Sequence, residues 1–354
     1  MKVLHVIGPE DKGGAAVAAQ SVIALMGGEV YQIPKPTRFQ HGWRHVCGYR
    51  TWQGELQLIR AIEAVQPDVV HLHDTKMLGP SAIAACWLKK VPAVASIYDY
   101  ACLCPRCNGW DCCDLVPGRC SFRTWQPANP LIGGRMPYGY PGLPALAKLP
   151  LVGRARRIRR WFNRLDACVC LSRHSAGLLT DHGFTSAKTV IPLPITVPTF
   201  HVERDPDLVL FVGGPYAVKG WHVWWAAVDL VMKARPETKC EAVFGVPRDE
   251  MLRRIASASV LVCAEQWLNM GPVVVREARA LGTPIVASDI GGIPEYCFGP
   301  ELFAHNSPED CARLILEQLK EPFQWQIFHP ASWPFGQTTE QALTEIYECA
   351  SRRA

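Results

Sequence analysis

The stretch from residue 259 to residue 295 constrains the fold of this chain most. It begins with an apolar run of strand length at 260–263, and a helical segment at 273–281 then ends at Gly282. A second apolar strand at 284–288 and a glycine-rich turn complete it. Strand, loop, helix and strand in this order form a parallel crossover unit, which binds ligands at the carboxyl ends of its strands.

The start of the helix in this unit suits a negatively charged ligand. Pro272 fits the first helical position, where the missing N–H of proline costs nothing. The unpaired backbone N–H groups near Gly271 and the positive end of the helix dipole attract an anion. Glu277, about a turn and a half inside the helix, can accept hydrogen bonds from ribose or sugar hydroxyls. Together these features predict a site for a nucleotide sugar.

The same stretch resembles the family 4 retaining glycosyltransferases, which have the GT-B fold. Their pattern is Glu, seven residues, Glu and Ala, followed by a Gly-x-Pro strand and an Asp/Thr-x-Gly-Gly-x-x-Glu turn. This chain has Asn269, seven residues, Glu277 and Ala278, and residues 282–284 and 289–295 fit the two later parts. Asn269 stands where the family has its first Glu. The alternative is an ordinary Rossmann crossover with an exposed Glu277.

The resemblance covers nearly the whole chain and implies an α/β protein with two Rossmann-like domains. Each domain has a doubly wound parallel sheet, and the two face an interdomain cleft. We expect an N-terminal acceptor domain over residues 1–195 and a nucleotide-sugar domain over 196–340. We also expect a terminal helix over 341–354 that packs back on the first domain. A length of 354 residues allows two domains of ordinary size.

Composition argues against several other classes of protein. The formal net charge of +5 is mild and spread over a large chain, so it does not indicate nucleic-acid binding. No apolar run approaches the length of a transmembrane helix, and residues 1–8 predict a first buried strand rather than a signal peptide. We therefore expect a cytoplasmic protein. Cysteines that occur singly in apolar runs, such as Cys86 and Cys263, are typical of reduced core thiols.

One cluster of cysteines differs from the rest, in a loop predicted at 102–120. Its members are Cys104, Cys107, Cys112, Cys113 and Cys120. Cys-x-x-Cys followed by further cysteines is zinc-like spacing, and we expect a structural zinc on Cys104, Cys107, Cys112 and Cys120. Free thiols and disulfides are the alternatives. The resemblance implies that catalysis requires no metal or other cofactor.

Two pairs of residues in the first half are candidates for ligand contact. Gly13 and Gly14 form a strand-to-helix turn, which the resemblance places at the donor; the alternative is a tight turn for packing. Tyr98 and Asp99 follow a strand at 93–97. Tyr98 stands where the family has a histidine that contacts the transferred sugar, and a tyrosine hydroxyl can donate to a sugar oxygen. Asp99 can orient the acceptor hydroxyl or take its proton, or it caps a turn.

Residues 67–73 predict a strand that carries two histidines. His71, inside the strand, is expected in the core. His73 lies at the carboxyl end and has better access to the cleft, but we expect a satisfied structural histidine there too.

A loop rich in proline and glycine is predicted at 126–150, and a basic stretch with aromatic residues follows at 154–164. At helical spacing this stretch could lie on an anionic membrane surface. The alternative is a solvated helix with one buried stripe that contains Ile158, Trp161 and Phe162. Many acceptors of the family are lipid-linked glycans, which favours the membrane.

The second half supplies the expected phosphate contacts. The family pattern is Gly-Arg, a few residues and Lys-Gly after a buried strand, and this chain has Gly213, Gly214 and then Lys219. Gly214 replaces the arginine, so Lys219 is the cation left to neutralise the diphosphate, with Arg248 a possible substitute. The resemblance also assigns the donor to the backbone of the loop before the crossover helix, at Met270, Gly271, Pro272 and Val273.

These features predict a retaining, metal-independent hexosyltransferase that uses a nucleotide diphosphate sugar. We expect the acceptor to be a glycan or lipid-linked glycan in cell-surface glycan, polysaccharide or glycolipid synthesis, at the cytoplasmic face of a membrane. Asn269 and Tyr98 would contact the transferred sugar. Because Tyr98, Gly214 and Asn269 depart from the family, the alternative is a catalytically degenerate protein that binds nucleotide as a scaffold. An epimerase of nucleotide sugars with the same fold is a third possibility.

Overall fold

The computed structural model describes residues 1–9, 14–35, 49–73, 79–103, 153–321 and 338–352. The chain divides into two compact units. Unit 1 contains the described residues through Pro194 together with the last helix, and unit 2 begins at Ile195. Among the described residues, no helix is both long enough and apolar enough to cross a bilayer.

Unit 1 is built on a parallel sheet of six described strands. They are β1 (Val3–Ile7), β2 (Glu29–Gln32), β3 (Val69–Leu72), β4 (Ala93–Ile97), β5 (Ala167–Cys170) and β6 (Ala187–Val190). Their order across the sheet is β2-β1-β3-β4-β5-β6. The chain moves outward from β1 to β2 and then crosses to β3, so the topological switch point lies between β1 and β3.

Six described helices belong to unit 1. They are α1 (Gly14–Met26), α2 (Trp52–Val65), α3 (Pro80–Lys89), α4 (Arg154–Phe162), α5 (Arg173–Asp181) and the last helix of the chain, α10 (Thr339–Ser351). The last helix packs on the sheet of unit 1, where Leu343, Ile346 and Tyr347 join a core cluster with Val3, Val69 and Val94. The C-terminal helix therefore completes the N-terminal unit.

Unit 2 has a parallel sheet of five described strands and four described α-helices. The strands are β7 (Asp205–Val212), β8 (Lys239–Val243), β9 (Ala258–Cys263), β10 (Ile285–Ser288) and β11 (Leu302–Phe303), and the helices are α6 (Trp221–Ala234), α7 (Arg248–Ser257), α8 (Val273–Ala280) and α9 (Pro308–Lys320). The sheet order is β11-β10-β9-β7-β8. Its switch point lies between β7 and β9.

Apolar layers cover both faces of the sheet in unit 2. On one face Phe211, Trp224 and Val262 pack with residues of α9, and on the other Leu210, Val275 and Ile293 pack together. Strands buried on both faces are typical of parallel sheets, and β9 is buried at every position. The helical spacing of Trp221, Trp224 and Trp225 predicts that all three belong to the core. This is confirmed for Trp224, which is 1% exposed, and wrong for Trp225, which is 48% exposed.

Candidate active site

The candidate site in unit 2 lies at the carboxyl ends of β7 and β9, at the switch point of the sheet. The loop after β7 leads through Gly213 and a short 3₁₀ turn (Ala217–Lys219) into α6. The loop after β9 runs from Ala264 to Pro272 and enters α8. Ligands of doubly wound folds bind in the crevice that such a pair of loops creates.

Lys219 in the first of these loops pairs with Glu265 in the second. The Lys219 Nζ to Glu265 Oε1 distance is 2.5 Å, and the Trp267 indole N–H donates to the other carboxylate oxygen. Burial lowers the pKa of Lys219, but the attraction of Glu265 outweighs it, so the pKa stands above its ordinary value. The predicted phosphate cation is therefore charged and held by a buried carboxylate. The family pattern did not point to Glu265.

Gly220 explains how Lys219 comes to lie beside Glu265. Its φ is 76°, in the left-handed region, and a Cβ at this position would lie 1.7 Å from the backbone oxygen of Ala264. Only glycine allows the turn before α6 to approach the end of β9 so closely. The backbone N–H of Gln266 then donates to the carbonyl of Val218 at 2.9 Å. The Lys-Gly pair of the sequence pattern is thus one lysine and the glycine that positions it.

Gly214 lies beneath an aromatic ring. A Cβ at Gly214 would come 2.4 Å from the ring of Tyr216, whose side chain is 45% exposed. Tyr216 thus occupies the space next to Gly214, where the family pattern has its arginine. Gly213 donates its N–H to the carbonyl of Val243 at 3.0 Å, which ties the loop to β8.

Asn269 organises the loop that leads into α8. Its side-chain Oδ1 accepts the backbone N–H of Gly271 at 2.9 Å, and its carbonyl accepts the N–H of Gly292 at 2.6 Å. Gly291 has a φ of 62°, and a Cβ there would lie 2.7 Å from the backbone nitrogen of Asn269. The glycine-rich turn of the sequence pattern therefore packs directly against Asn269. The NH₂ group of the Asn269 side chain can still donate hydrogen bonds.

Two predictions at the start of α8 are wrong. Pro272 is the N-cap and not the first helical residue, because its ψ of 122° is extended and the helix begins at Val273. The N–H of Gly271, expected to face an anion, donates to Asn269 instead. The N–H groups that open the helix are thus those from Val273 onward. Met270, before them, is buried.

Glu277 and Arg248 lie together. Arg248, the first residue of α7, places its Nη2 2.7 Å from Glu277 Oε1, and Glu277 is 1% exposed. The alternative of an exposed Glu277 is therefore wrong. Burial raises the pKa of Glu277, and the Arg248 guanidinium offsets part of that rise. Arg248 Nε is buried and has no hydrogen-bond partner among the described residues.

In unit 1, Tyr98 and Asp99 follow β4 as predicted. Asp99 Oδ1 accepts the backbone N–H of Ala101 at 2.8 Å, so the carboxylate caps a turn there. Tyr98 is partly buried, and His73 Nδ1 lies 3.0 Å from its hydroxyl. Gly14 is the exposed first residue of α1. Gly13 and the predicted zinc ligands Cys104, Cys107, Cys112 and Cys120 lie outside the described residues.

A cluster of three buried histidines was missed from the sequence. His5 on β1 is the register partner of His71 on β3, and His73 follows two residues later on the same face. The ring nitrogens that face one another lie within 4.8 Å. Both nitrogens of every ring also have a hydrogen-bond partner within the protein. Burial lowers the pKa of each histidine, so all three are neutral near pH 7.

The basic stretch forms α4 and the turn after it. Arg154, Ile158 and Phe162 are buried, which confirms a buried stripe, but Trp161 is only partly buried. Arg154 is not a surface cation, since its guanidinium donates to the carbonyls of Ala101 and Leu103. The exposed face carries Arg156, Arg159 and Arg160.

Each of the two units is an α/β unit built on a parallel sheet. Unit 2 has a cation and a buried glutamate at the switch point of its sheet. These features are those of a GT-B protein. The family description Glycosyltransferase Family 4 matches residues 4–197, and Glycosyl transferases group 1 matches residues 200–328. The chain therefore belongs to the family 4 type of group 1 glycosyltransferases.

Similar proteins agree with this assignment. D-inositol 3-phosphate glycosyltransferase of Thermobifida fusca is 29% identical over an alignment of 163 positions, and the match covers 42% of this chain and 35% of that protein. The match thus spans about a third of this relative. Among solved structures, Anabaena HepE in complex with UDP and glucose has a TM-score of 0.59 at 13% identity, covering 100% of this chain and 98% of HepE. UDP-GlcNAc 2-epimerase of Neisseria meningitidis, bound to UDP-GlcNAc, has a TM-score of 0.53 at 11% identity, with coverage of 98% and 99%. At these identities the structures show a shared fold.

Proposed function

We propose that this protein transfers a hexose from a nucleotide diphosphate sugar to an acceptor hydroxyl, with retention at the anomeric carbon. The observation that carries the proposal is the grouping of Lys219, the start of α8 and the Glu277–Arg248 pair within unit 2. These groups supply a cation, free helix N–H groups and a buried carboxylate. A diphosphate linked to a ribose needs these three kinds of partner.

Lys219 would stabilise the negative charge that develops on the departing diphosphate. Its ammonium has three N–H donors, and Glu265 accepts one of them. The remaining donors are available to phosphate oxygens, and 38% of the Lys219 side chain is exposed. The N–H groups that open α8 would add to this stabilisation without rearrangement, as preorganised donors do.

Glu277 would bind the ribose of the donor. Its carboxylate is deeply buried and can accept from hydroxyls through the lone pairs that Arg248 leaves unused. Arg248 Nε would donate to the nucleotide, since this buried N–H has no partner among the described residues. Asn269 would donate to a hydroxyl of the hexose through its amide, Tyr98 would contact the same sugar and Asp99 would lie on the acceptor side.

A lipid-linked glycan is our proposed acceptor because unit 1 has a basic and aromatic surface. Arg156, Arg159 and Arg160 on α4 are exposed, and Trp87 and Leu88 at the end of α3 are 52% and 47% exposed. The rings of Trp87 and Trp161 lie 6.2 Å apart, with Arg164 over both. Arginines beside exposed tryptophan suit an anionic bilayer surface. Co-sedimentation with phosphatidylglycerol vesicles, and none with phosphatidylcholine vesicles, would support this acceptor.

The second candidate is a nucleotide-binding scaffold without transfer activity. It is favoured by Gly214, because Tyr216 fills the space beside it and leaves the diphosphate without the arginine of the family. Glu265 also neutralises part of the charge of Lys219. A protein of this kind would still bind nucleotide through Glu277 and Arg248.

The test is a panel of UDP-, GDP-, ADP- and dTDP-sugars, scored for thermal shift and for release of the nucleoside diphosphate, with membrane extract as the acceptor source. Release that depends on the acceptor supports transfer, and product anomer analysis decides retention. Binding without release supports the scaffold, and a product formed without acceptor supports an epimerase. Absence of any binding would contradict the proposed site.

A matched pair of variants makes this test specific. Glu277→Gln should abolish the donor-induced thermal shift. Glu301→Gln is the control, because Glu301 is equally buried and pairs with Arg279 at 2.7 Å in the same unit. Both variants lose a buried ion pair, so only a ligand contact distinguishes them. Equal loss of the shift in both would mean that stability, and not binding, explains the effect.

A further inference from the structure

A chain of hydrogen bonds leads from the turn after α1 to Tyr98. His5 Nε2 lies 2.8 Å from the carbonyl oxygen of Gly27, and His5 Nδ1 lies 2.9 Å from His73 Nε2. His73 Nδ1 lies 3.0 Å from the Tyr98 hydroxyl. The chain crosses the switch point of unit 1, from β1 to β3, and ends beside β4.

The carbonyl of Gly27 fixes the direction of every proton in this chain. A carbonyl oxygen only accepts, so His5 must donate from Nε2. The buried imidazole of His5 is neutral, so its Nδ1 carries no proton and can only accept. His73 must therefore donate to it from Nε2. Because His73 is also neutral, its Nδ1 then carries no proton either. The Tyr98 hydroxyl must therefore donate its single proton to His73.

His71 differs from the other two histidines because both of its partners are hydroxyl groups. His71 Nε2 lies 2.8 Å from Ser96 Oγ, and His71 Nδ1 lies 2.5 Å from the Tyr347 hydroxyl. A hydroxyl can either donate or accept, so these two contacts allow both tautomers of His71. The assignment therefore covers His5 and His73, which both carry their proton on Nε2.

The backbone holds the first link of the chain in place. Gly28 has a φ of 115°, and a Cβ there would lie 2.8 Å from the carbonyl of Val3 and 3.3 Å from His5 Nε2. Only glycine lets the turn between α1 and β2 approach β1 this closely. The acceptor that orients the network is therefore part of the fold and does not depend on a mobile side chain.

We propose that Tyr98 meets its ligand only as a hydrogen-bond acceptor, and that His73 and His5 are the positioning residues that impose this. The proton of Tyr98 points at His73, so only the lone pairs of the hydroxyl oxygen remain for a ligand. The group that Tyr98 recognises must be a donor, and within the proposed function it is a sugar hydroxyl. The expectation that Tyr98 donates to a sugar oxygen is therefore reversed. This inference rests on the proposed function for the identity of the ligand.

The proton positions can be measured on the unliganded protein. Long-range ¹H–¹⁵N spectra distinguish the two neutral imidazole tautomers, and we expect the Nε2–H form for His5 and His73 at pH 7.5. An Nδ1–H form of His73 would overturn the proposal, because Tyr98 would then be free to donate. A stoichiometric metal ion in the purified protein would also overturn it, since a metal takes the lone pairs that the hydrogen bonds require.

The ligand half of the proposal is tested with donor analogues that lack one hydroxyl. A deoxy sugar neither donates nor accepts at that position, whereas a deoxyfluoro sugar accepts weakly and cannot donate. If Tyr98 only accepts, both analogues should lose affinity equally at the contacted position, by about three- to tenfold. Tyr98→Phe should lose the same factor with the native donor and nothing further with either analogue. A deoxyfluoro sugar that binds better than its deoxy counterpart, in a way that Tyr98→Phe abolishes, would contradict the proposal.

Two further variants separate positioning from stability. His73→Leu removes the acceptor of the Tyr98 proton, so this hydroxyl can turn toward the ligand and the deoxyfluoro analogue should gain affinity over the deoxy analogue. Tyr347→Phe is the control, because it also removes a buried hydrogen bond but leaves the Tyr98 proton on His73. An unchanged ratio of the two affinities in His73→Leu would show that His73 does not position Tyr98. If no nucleotide sugar binds the wild type, the proposed function fails, and the tautomer spectra still decide the proton positions.

Discussion

At the scale of single residues, the pair of Lys219 and Glu265 joins a partly exposed cation to a buried anion. The Lys219 side chain is 38% exposed and that of Glu265 is 5% exposed. Removing the lysine would therefore leave a buried carboxylate without its counter-charge, whereas removing the carboxylate leaves a cation that water can reach. The structural and the functional contributions of Lys219 can be separated for this reason.

Lys219→Met should lower the free energy of unfolding by about 2–3 kcal/mol. This is less than a fully buried pair would cost, because water screens the exposed lysine. The double variant Lys219→Met with Glu265→Gln should recover stability to within about 1 kcal/mol of the wild type, because glutamine can still accept from Trp267. Urea unfolding of the three proteins measures this.

Catalysis should not recover in the double variant. We expect transfer to fall by about 100-fold in Lys219→Met and to stay there in the double variant, because the leaving group lacks its cation in both. Turnover that returns together with stability would mean that Lys219 acts only by holding the loop.

At the scale of secondary-structure elements, the site depends on how closely one turn approaches the end of one strand. Gly220 and Gly245 both have positive φ, 76° and 71°, but a Cβ at Gly220 would overlap the backbone of Ala264 and a Cβ at Gly245 would meet open space. The two glycines therefore differ in packing and not in conformation.

Gly245→Ala should cost about 1–2 kcal/mol, the strain of a left-handed residue with a side chain. Gly220→Ala should cost at least about 3 kcal/mol, because the turn must also move away from β9. Urea midpoints compare the two variants directly. Equal costs would show that the approach to Ala264 is not tight in solution.

Much of the arrangement of elements follows from sequence patterns, and the exceptions have physical causes. The crossover unit from β9 to β10 and strand β4 were predicted closely because their apolar runs have strand length and glycine or proline lies beside them. Strand β2 was not predicted, because its four residues lie at the edge of the sheet and are mostly exposed. Helix α3 was not predicted because every residue from Pro80 to Cys86 is buried, so its sequence has no amphipathic pattern.

The site was predictable only where local spacing carries it. Lys219 and Glu277 follow from motif spacing, but Glu265 becomes a partner of Lys219 only when β7 and β9 lie side by side. The histidine cluster likewise needs the register of β1 against β3, which pairs His5 with His71 across 66 positions of sequence. The register between two strands that are far apart in sequence cannot be predicted from either segment alone.

At the scale of the whole molecule, three neutral histidines make the stability of the protein dependent on pH. Burial holds their pKa values below the ordinary 6.5. In the unfolded chain they take up protons as the pH falls below about 6.5, whereas in the folded protein they do so only at lower pH. The contribution of the neutral histidines to the free energy of unfolding is therefore complete above about pH 6.5 and is lost as the pH falls below this value.

We expect the free energy of unfolding to decrease between pH 6.5 and pH 5.5, with each histidine contributing a slope of up to about 1.4 kcal/mol per pH unit. His71→Gln should remove one such contribution, because glutamine does not titrate. Urea unfolding at several pH values, for wild type and variant, gives the difference in slope. Identical slopes would show that His71 is protonated in the folded protein.

The return of α10 to the first sheet has a consequence for the order in which the protein assembles during synthesis. Tyr347 supplies the partner of His71 Nδ1 and, with Leu343 and Ile346, covers one face of unit 1. The ribosome delivers these residues only after all of unit 2 has been made. Unit 1 begins to emerge first but obtains this helix only after unit 2 is complete, so the nascent chain must keep that apolar face from aggregating until α10 has been made.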